Sequence, residues 1–316
     1  CPDLPLNVSR SALQNDGFVQ KISEYIAKKV ADKLTGMCKT DREAYEKYWD
    51  DISPFIKFGC IKDSKFADKL HDYILFKDLD NKYLTLKDCI EANKKEEAEH
   101  TEEETQENAE ENKDEKEPEK TTVFYVTDPV QQSQYINMFK EAGKNAVILS
   151  HNIDTAFISH LEQRDQTLQF KRIDADLTEE LKGGDAADDD TAKTLTEIFR
   201  KNLNKEKLEV KVESLKNEAV SAMMMLSEES RRMQDMMKMY NMYGMDPGMF
   251  GGQETLVLNI NHPLVKFLAE NQESEHAAVI CEQLYDLAMI SHKQLSPDEM
   301  TKFVQRSNDI LMLLTK

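Results

Sequence analysis

The chain is poor in the residues that build metal, disulfide and phosphate-cradle sites. Its five cysteines (Cys1, Cys38, Cys60, Cys89 and Cys281) are odd in number and never spaced Cys-x-x-Cys. A disulfide framework or zinc site is therefore not expected, and reduced thiols in the cytoplasm are the natural reading. The seven histidines are equally scattered, with no ligand pairs at usable spacing, so no metal is expected. Gly183-Gly184 and Gly251-Gly252 are isolated pairs, neither in a P-loop nor in a dinucleotide fingerprint. No run of about 18 apolar residues is present, so no membrane partner is expected. Cation is scarce too: 41 Lys and Arg face 60 Asp and Glu, a formal charge of −19. Such a surface repels polyanions, and no local basic face is visible, so nucleic acid is not an expected partner. The opening Cys1-Pro2-Asp3 shows neither an initiator methionine nor a charged-then-apolar leader. That reads as a cytoplasmic piece of a longer polypeptide, without a secretory signal.

With 316 residues the chain has room for two domains, each usually about 100–200 residues. Residues 9–70 read as helical. Phe18, Ile22, Tyr25, Ile26, Val30 and Leu34 recur at three- and four-residue steps, and Gly36 is the expected stop. Thr40 and Asp41 offer caps for a second helix carrying Tyr45, Tyr48, Trp49, Ile52 and Phe55. A strand-like run follows at Tyr73-Ile74-Leu75-Phe76. Thr85-Leu86-Lys87-Asp88 then opens a helix like a capping box, Asp standing in for Glu. Residues 94–120 hold 13 acidic and five basic side chains and almost nothing apolar. Such a stretch cannot offset its ordering entropy by burial and reads as a flexible surface insert.

Beyond it, Val123–Val126 and Ala146–Leu149 read as strands. Asp128-Pro129 is the expected opening of an intervening helix, and Ile153–Leu161 reads as a short helix. Strand–helix–strand alternation implies a parallel sheet with helices packed on it. Gly183-Gly184 and the Asp188–Asp190 run mark a linker. Thr191–Leu203 is helical, Leu208–Val212 alternates like a strand, and Ala219–Leu226 is a further candidate. Thr255–Ile260 is the clearest strand, and amphipathic helices at 275–292 and 297–315 close the chain.

Ten of the 15 methionines fall between Met223 and Met249. Met233, Met236, Met237, Tyr240 and Tyr243 share one helical face. A methionine stripe is ordinarily core, but flexible, polarizable side chains also suit adaptable binding surfaces. At the chain's end, Ser296-Pro297-Asp298-Glu299 supplies an N-cap, a first-turn proline and a capping-box glutamate. Met300, Phe303, Val304, Ile310, Leu311 and Leu314 then form a stripe, and Ala277, Ile280, Cys281, Leu284, Leu287 and Ala288 another. Two such helices form a hairpin wider in apolar surface than one small domain can cover, unless both stripes pack inside the monomer.

Asp3-Leu4-Pro5-Leu6-Asn7-Val8-Ser9-Arg10 resembles the catalytic loop in the middle domain of heat-shock protein 90 chaperones. Three further stretches agree in the family's order: Ile52–Gly59, Val123–Asp128, and Asn259-Ile260-Asn261-His262-Pro263-Leu264-Val265. The terminal Leu313-Leu314-Thr315-Lys316, without a Glu-Glu-Val-Asp tail, resembles the bacterial branch, high-temperature protein G.

The resemblance implies a mixed α/β (α+β) fold. Residues 1–177 would be the later part of the middle domain, a helical segment plus a small α-β-α sandwich. Residues 178–190 would link it to an α+β C-terminal domain, 191–316, ending in a helical hairpin for dimerisation. It also implies a client-binding and dimerising piece of a stress-response chaperone that assists protein folding. Arg10 would reach the γ-phosphate of ATP, held with Mg in a separate N-terminal domain, and Gln14, four residues on, would belong to the same catalytic loop. No cofactor and no ATPase activity are expected of this chain alone. Unfolded clients would meet Met233, Met236, Met237 and Tyr240, with a second patch around Phe157. The homodimer would form through Ile280, Leu284, Leu287, Phe303, Ile310, Leu311 and Leu314. The alternative is a methionine-rich peptide-binding adaptor without any ATPase link, a class whose arginine-rich RNA-binding helix this acidic chain lacks.

Overall fold

A computed structural model of the chain describes residues 17–91, 120–175, 181–184, 187–228, 232, 254–313 and 315. The fold is mixed α+β, and the chain divides into two compact units. One takes in residues 1–123 and 151–169, the other 124–150 and 170–316. Among the described residues no helix is long and apolar enough to cross a membrane, and no group of His, Cys, Asp or Glu could hold a metal ion.

The first unit opens with α1 (Gly17–Thr40) and α2 (Arg42–Lys62). Gly36 does not end α1, which runs through it for another turn. A single helical glycine costs only about 1 kcal/mol, less than the signal at the next break. There the Asp41 carboxylate accepts from Ala44 N at 3.2 Å and starts α2. Along α2 the buried positions Tyr45, Trp49, Ser53, Ile56, Lys57 and Cys60 keep helical spacing, while Tyr48 and Phe55 face solvent. Two of these buried side chains position the next strand. Tyr45 Oη donates to Tyr73 O and Trp49 Nε1 to Leu75 O, both at 2.9 Å.

After α3 (Ser64–Leu70) and a single 3₁₀ turn, β1 (Leu75–Asp78) pairs antiparallel with β2 (Tyr83–Thr85). The connecting turn places Asn81 in the left-handed region, at φ 63°. Asp78 Oδ1 accepts from the backbone of Asp80 and Lys82, each at 2.8 Å. The capping box forms as the sequence predicts: Thr85 N donates to Asp88 Oδ2 at 2.8 Å and Asp88 N to Thr85 Oγ1 at 3.2 Å, opening α4 (86–91).

Strand β3 (Thr121–Val126), α5 (Ser133–Glu141) and β4 (Val147–Ile148) make the predicted strand–helix–strand. The strands are parallel, with Tyr125 opposite Val147 and Val126 opposite Ile148. Helix α5 begins four residues after Pro129, because Asp128 Oδ1 and Gln132 Oε1 first close a turn over 127–132. Helix α6 (Ile153–Arg164) follows in the first unit, and β5 (Leu168–Arg172) lies next to β3 in the strand order β4-β3-β5.

The second unit continues with α7 (Asp189–Leu203), β6 (Glu209–Glu213), β7 (Ala222–Met225) and β8 (Thr255–Asn259). These strands form a mixed sheet of order β6-β8-β7. Strand β8 is central, parallel to β6 and antiparallel to β7, and its Leu256, Val257 and Leu258 are buried. At its end the buried Asn259 is fully paired. Its Oδ1 accepts from Leu215 N and Asn261 N, and its Nδ2 donates to Val220 O and Asn217 O. That satisfaction explains why an asparagine is tolerated at a core position. His262 then caps α8 (Pro263–Glu270), accepting from Leu264 N, with Pro263 in the first turn. Helices α9 (Ala277–His292) and α10 (Pro297–Leu313) complete the unit.

Candidate functional site

Helices α9 and α10 form the candidate assembly site. One face of α9 is core: Ala277, Cys281, Leu284, Tyr285, Ala288 and Met289 pack with Leu195 and Phe199 of α7 and the central strand's Leu256 and Leu258. Burial pushes the Cys281 thiol up to about 12, so it behaves as a small hydrophobe rather than a nucleophile. The helix ends at His292, buried beside Asp174 (3.4 Å) and Glu254 (3.9 Å).

Helix α10 contrasts with it, having no buried residue at all. Leu311 is 59 % exposed and Met312 61 %, with Met300, Val304 and Leu313 also open to solvent. Its start is the predicted capping box: Glu299 N donates to Ser296 Oγ at 3.3 Å and Ser296 N to Glu299 Oε2 at 2.8 Å. The Ser296 hydrogen bonds hold the Glu299 carboxyl below its ordinary value. What ties α10 to α9 is polar. Arg306 donates to Gln283 Oε1 at 3.0 Å and Glu282 Oε2 at 2.7 Å, and also pairs with Asp286; Gln283 Nε2 donates to Ser307 Oγ at 3.1 Å. Burial raises the Asp286 carboxyl despite the guanidinium beside it. Apolar periodicity does not reveal Arg306. Its signal in the sequence is the acidic pair Glu282 and Asp286, four apart on one helical face, with an arginine on the helix that follows.

The predicted dimer residues therefore divide. Leu284 is 1 % exposed inside its own unit's core, and Ile280 packs against that core. Leu287, 43 % exposed, and Leu311 lie open, while Phe303 and Ile310 are half-buried. Arg10, Gln14, Met233, Met236, Met237, Tyr240 and Leu314 lie outside the described residues.

Of the methionine-rich region, Met223, Met224 and Met225 are buried on β7. Past β7 the chain is pinned by Glu228. Its carboxylate accepts from Tyr125 Oη at 2.7 Å, Arg232 Nε at 2.9 Å and Arg172 N at 3.0 Å, and Arg232 also donates to Phe170 O. Burial and the Glu228 charge together raise the Tyr125 hydroxyl far above its ordinary value.

Phe157, expected in a surface patch on α6, is instead 1 % exposed. Helix α2 packs over this face of α6. Lys57 reaches Asp154 at 2.5 Å with only 5 % and 4 % of the side chains exposed. The ammonium also stands 5.8 Å from the Phe157 ring centre and 6.0 Å from that of Phe76. Burial of Phe157, Ile158 and Leu161 against α2 favours this inward face, and Asp154, buried with it, is paired by Lys57 and by the N–H of His151.

Among the described residues the chain offers a buried ion pair between α2 and α6 and, on α10, an apolar face with no buried residue, joined to α9 through Arg306 and Gln283. The sequence profile of the Hsp90 protein family matches residues 1–100 and 114–316. The chain belongs to this family of chaperones. Along most of its length it is similar to bacterial HtpG proteins. It is 34 % identical over 291 residues to chaperone protein htpG of Bacteroides fragilis, covering 88 % of this chain and 40 % of that protein. With its counterparts in Bacteroides thetaiotaomicron and Porphyromonas gingivalis the identity is 32 % over 284 and 31 % over 291 residues, covering in both 86 % of this chain and 39 % of theirs. The chain thus spans about two fifths of the length of these relatives.

Proposed function

We propose that the chain is the client-holding and self-associating part of an HtpG-type chaperone. The observation that carries this reading is the contrast on the hairpin: α10 has no buried residue, yet its exposed side chains include Met300, Val304, Leu311, Met312 and Leu313. Burying one such side chain fully is worth about 1.5–3 kcal/mol, and a twofold axis lets the same stripe cover its own copy. The interface consists of Leu287, Phe303, Ile310, Leu311 and Leu314, with Ile280 at its edge; Leu284 supports it from inside the monomer. Clients meet the methionine face of Met233, Met236, Met237 and Tyr240. Phe157 is left out of this surface because its ring is core. Arg10 and Gln14 complete an ATP site whose nucleotide and Mg sit on a separate domain, since a guanidinium stabilises charge on a transferring phosphoryl group. Residues 1–177 and 191–316, joined by 178–190, act as the two functional parts in the cytoplasm.

The test is mass by light scattering at micromolar concentration. The chain should weigh twice its 36.4 kDa, and Leu311→Glu with Leu314→Glu should return it to 36.4 kDa with unchanged circular dichroism. A monomeric unmodified chain would sink the reading.

A further inference from the structure

In a chain of net charge −19, the fold gathers cations that the sequence spreads over a helix end and a loop. From Arg200 to Lys211 stand five cations and two carboxylates. Arg200, Lys201, Lys205 and Lys207 line one open depression of about 820 Å³, together with Asn204, Glu206, Leu208, Glu254 and Tyr285.

Two features separate this cup from an ordinary solvated lysine face. First, its cations are largely unspent. Lys201 and Lys207 are exposed and take part in no ion pair among the described residues. Lys205 has Glu299 in its neighbourhood but is bound to a neutral partner. Of the two carboxylates in the lining, Glu254 is engaged by Lys293 at 2.5 Å, and the exposed Glu206 leaves four cations facing one uncommitted carboxylate. Second, part of the cup is pre-arranged. Lys205 Nζ donates to Tyr285 Oη at 2.6 Å and stands 4.3 Å from the ring centre. Arg200 Nε donates to Leu208 O at 2.8 Å, which fixes the guanidinium plane and leaves its two terminal nitrogens as a fork. The negative end of α7 is muted as well. Asn204, left-handed at φ 52°, and Lys205 donate their backbone N–H groups to the last carbonyls, Arg200 O and Lys201 O.

We propose that this cup is a docking site for a carboxylate-rich peptide segment of a partner protein. The volume suits several side chains rather than one small anion. A guanidinium fork flanked by exposed ammoniums matches carboxylates, and Leu208 in the lining offers apolar contact for the aliphatic stems of glutamates. Nucleic acid fits worse. Duplex DNA carries about one charge per 1.7 Å and runs on past the cup, along a chain whose net charge is −19. A peptide presents acidic side chains on one side only about every 7 Å, between neutral residues, and ends where the cations end. At physiological salt the screening length is about 8 Å, so a short ligand feels the cup rather than the chain's total charge.

The experiment uses the whole chain and a fluorescein-labelled peptide of alternating glutamate and glycine, read by anisotropy. Binding should saturate, weaken steeply with added salt, and vanish for the glutamine–glycine peptide. Lys201→Glu with Lys207→Glu should lower affinity about ten-fold or more; reversing Lys28 and Lys65, exposed elsewhere, should change it less than about two-fold. Three results overturn the proposal: no saturable binding by the unmodified chain, equal loss with the Lys28/Lys65 control, or a single-stranded oligonucleotide that binds as tightly as the peptide and is lost in the same cup variant. Circular dichroism of both double variants guards against misfolding, and should it report misfolding, Lys201→Gln with Lys207→Gln carries the same comparison.

Discussion

Helix α9 sends Cys281, Leu284 and Ala288 into a core shared with α7 and β7, whereas α10 lays its leucines and methionines along the outside. Both helices carry apolar residues at three- and four-residue steps. What differs is the covering surface. The β6-β8-β7 sheet and α7 supply one for α9, while α10 meets its neighbour through a guanidinium and an amide. An amphipathic stripe thus records that a face wants burial, and not which molecule buries it.

Leucine truncation gives the largest break in this contrast. Leu284→Ala should cost about 2–5 kcal/mol in urea unfolding, because it leaves a cavity in a closed core. Leu311→Ser should change the unfolding free energy of the dissociated chain by less than about 0.5 kcal/mol and act on association instead. Similar stability losses in both variants would mean that α10 is also core.

Arg306→Ala comes next. It leaves Asp286 and Glu282 facing each other without their cation, and a partly buried carboxylate stripped of its partner costs about 1–3 kcal/mol. The loss should appear as faster amide exchange in α10 while α9 stays protected. Uniform exchange along both helices would show that the polar hinge contributes nothing particular.

The smallest effect concerns the cap of α10. Glu299 titrates below its ordinary value of 4.5 because Ser296 donates to it. A depressed carboxyl stabilises the fold above its unfolded value, and that contribution disappears as pH falls through the folded one. Melts followed from about pH 6 down to about pH 3 should therefore lose more stability in the unmodified chain than in Glu299→Gln. Parallel acid limbs would remove the capping box from the account of α10.

Elements fixed by neighbouring residues are legible in the amino-acid order alone. The Thr85–Asp88 and Ser296–Glu299 boxes form with the partners their spacing names. The parallel β3/β4 pair and the strand Thr255–Asn259 also form, since apolar runs bounded by turns have few other uses. Features that depend on distant partners are not legible in this way. Gly36 is overridden by the helix around it, β2 and β5 exist because β1 and β3 lie beside them, and the Asp128–Gln132 turn delays α5 past Pro129.

The candidate site divides along the same line. Sequence determined the hairpin, its stripes and the capping box of α10, because helix period and capping involve atoms a few residues apart. Tertiary structure alone decided that Leu284 points inward and Leu311 outward, that Lys57, Asp154 and Phe157 are buried together, and that the cations between Arg200 and Lys207 line one cup with Glu254 and Tyr285. Burial and electrostatic neighbourhood are sums over everything packed nearby, and residues such as Lys57 and Asp154, 97 positions apart, enter each other's sum only once the chain has folded.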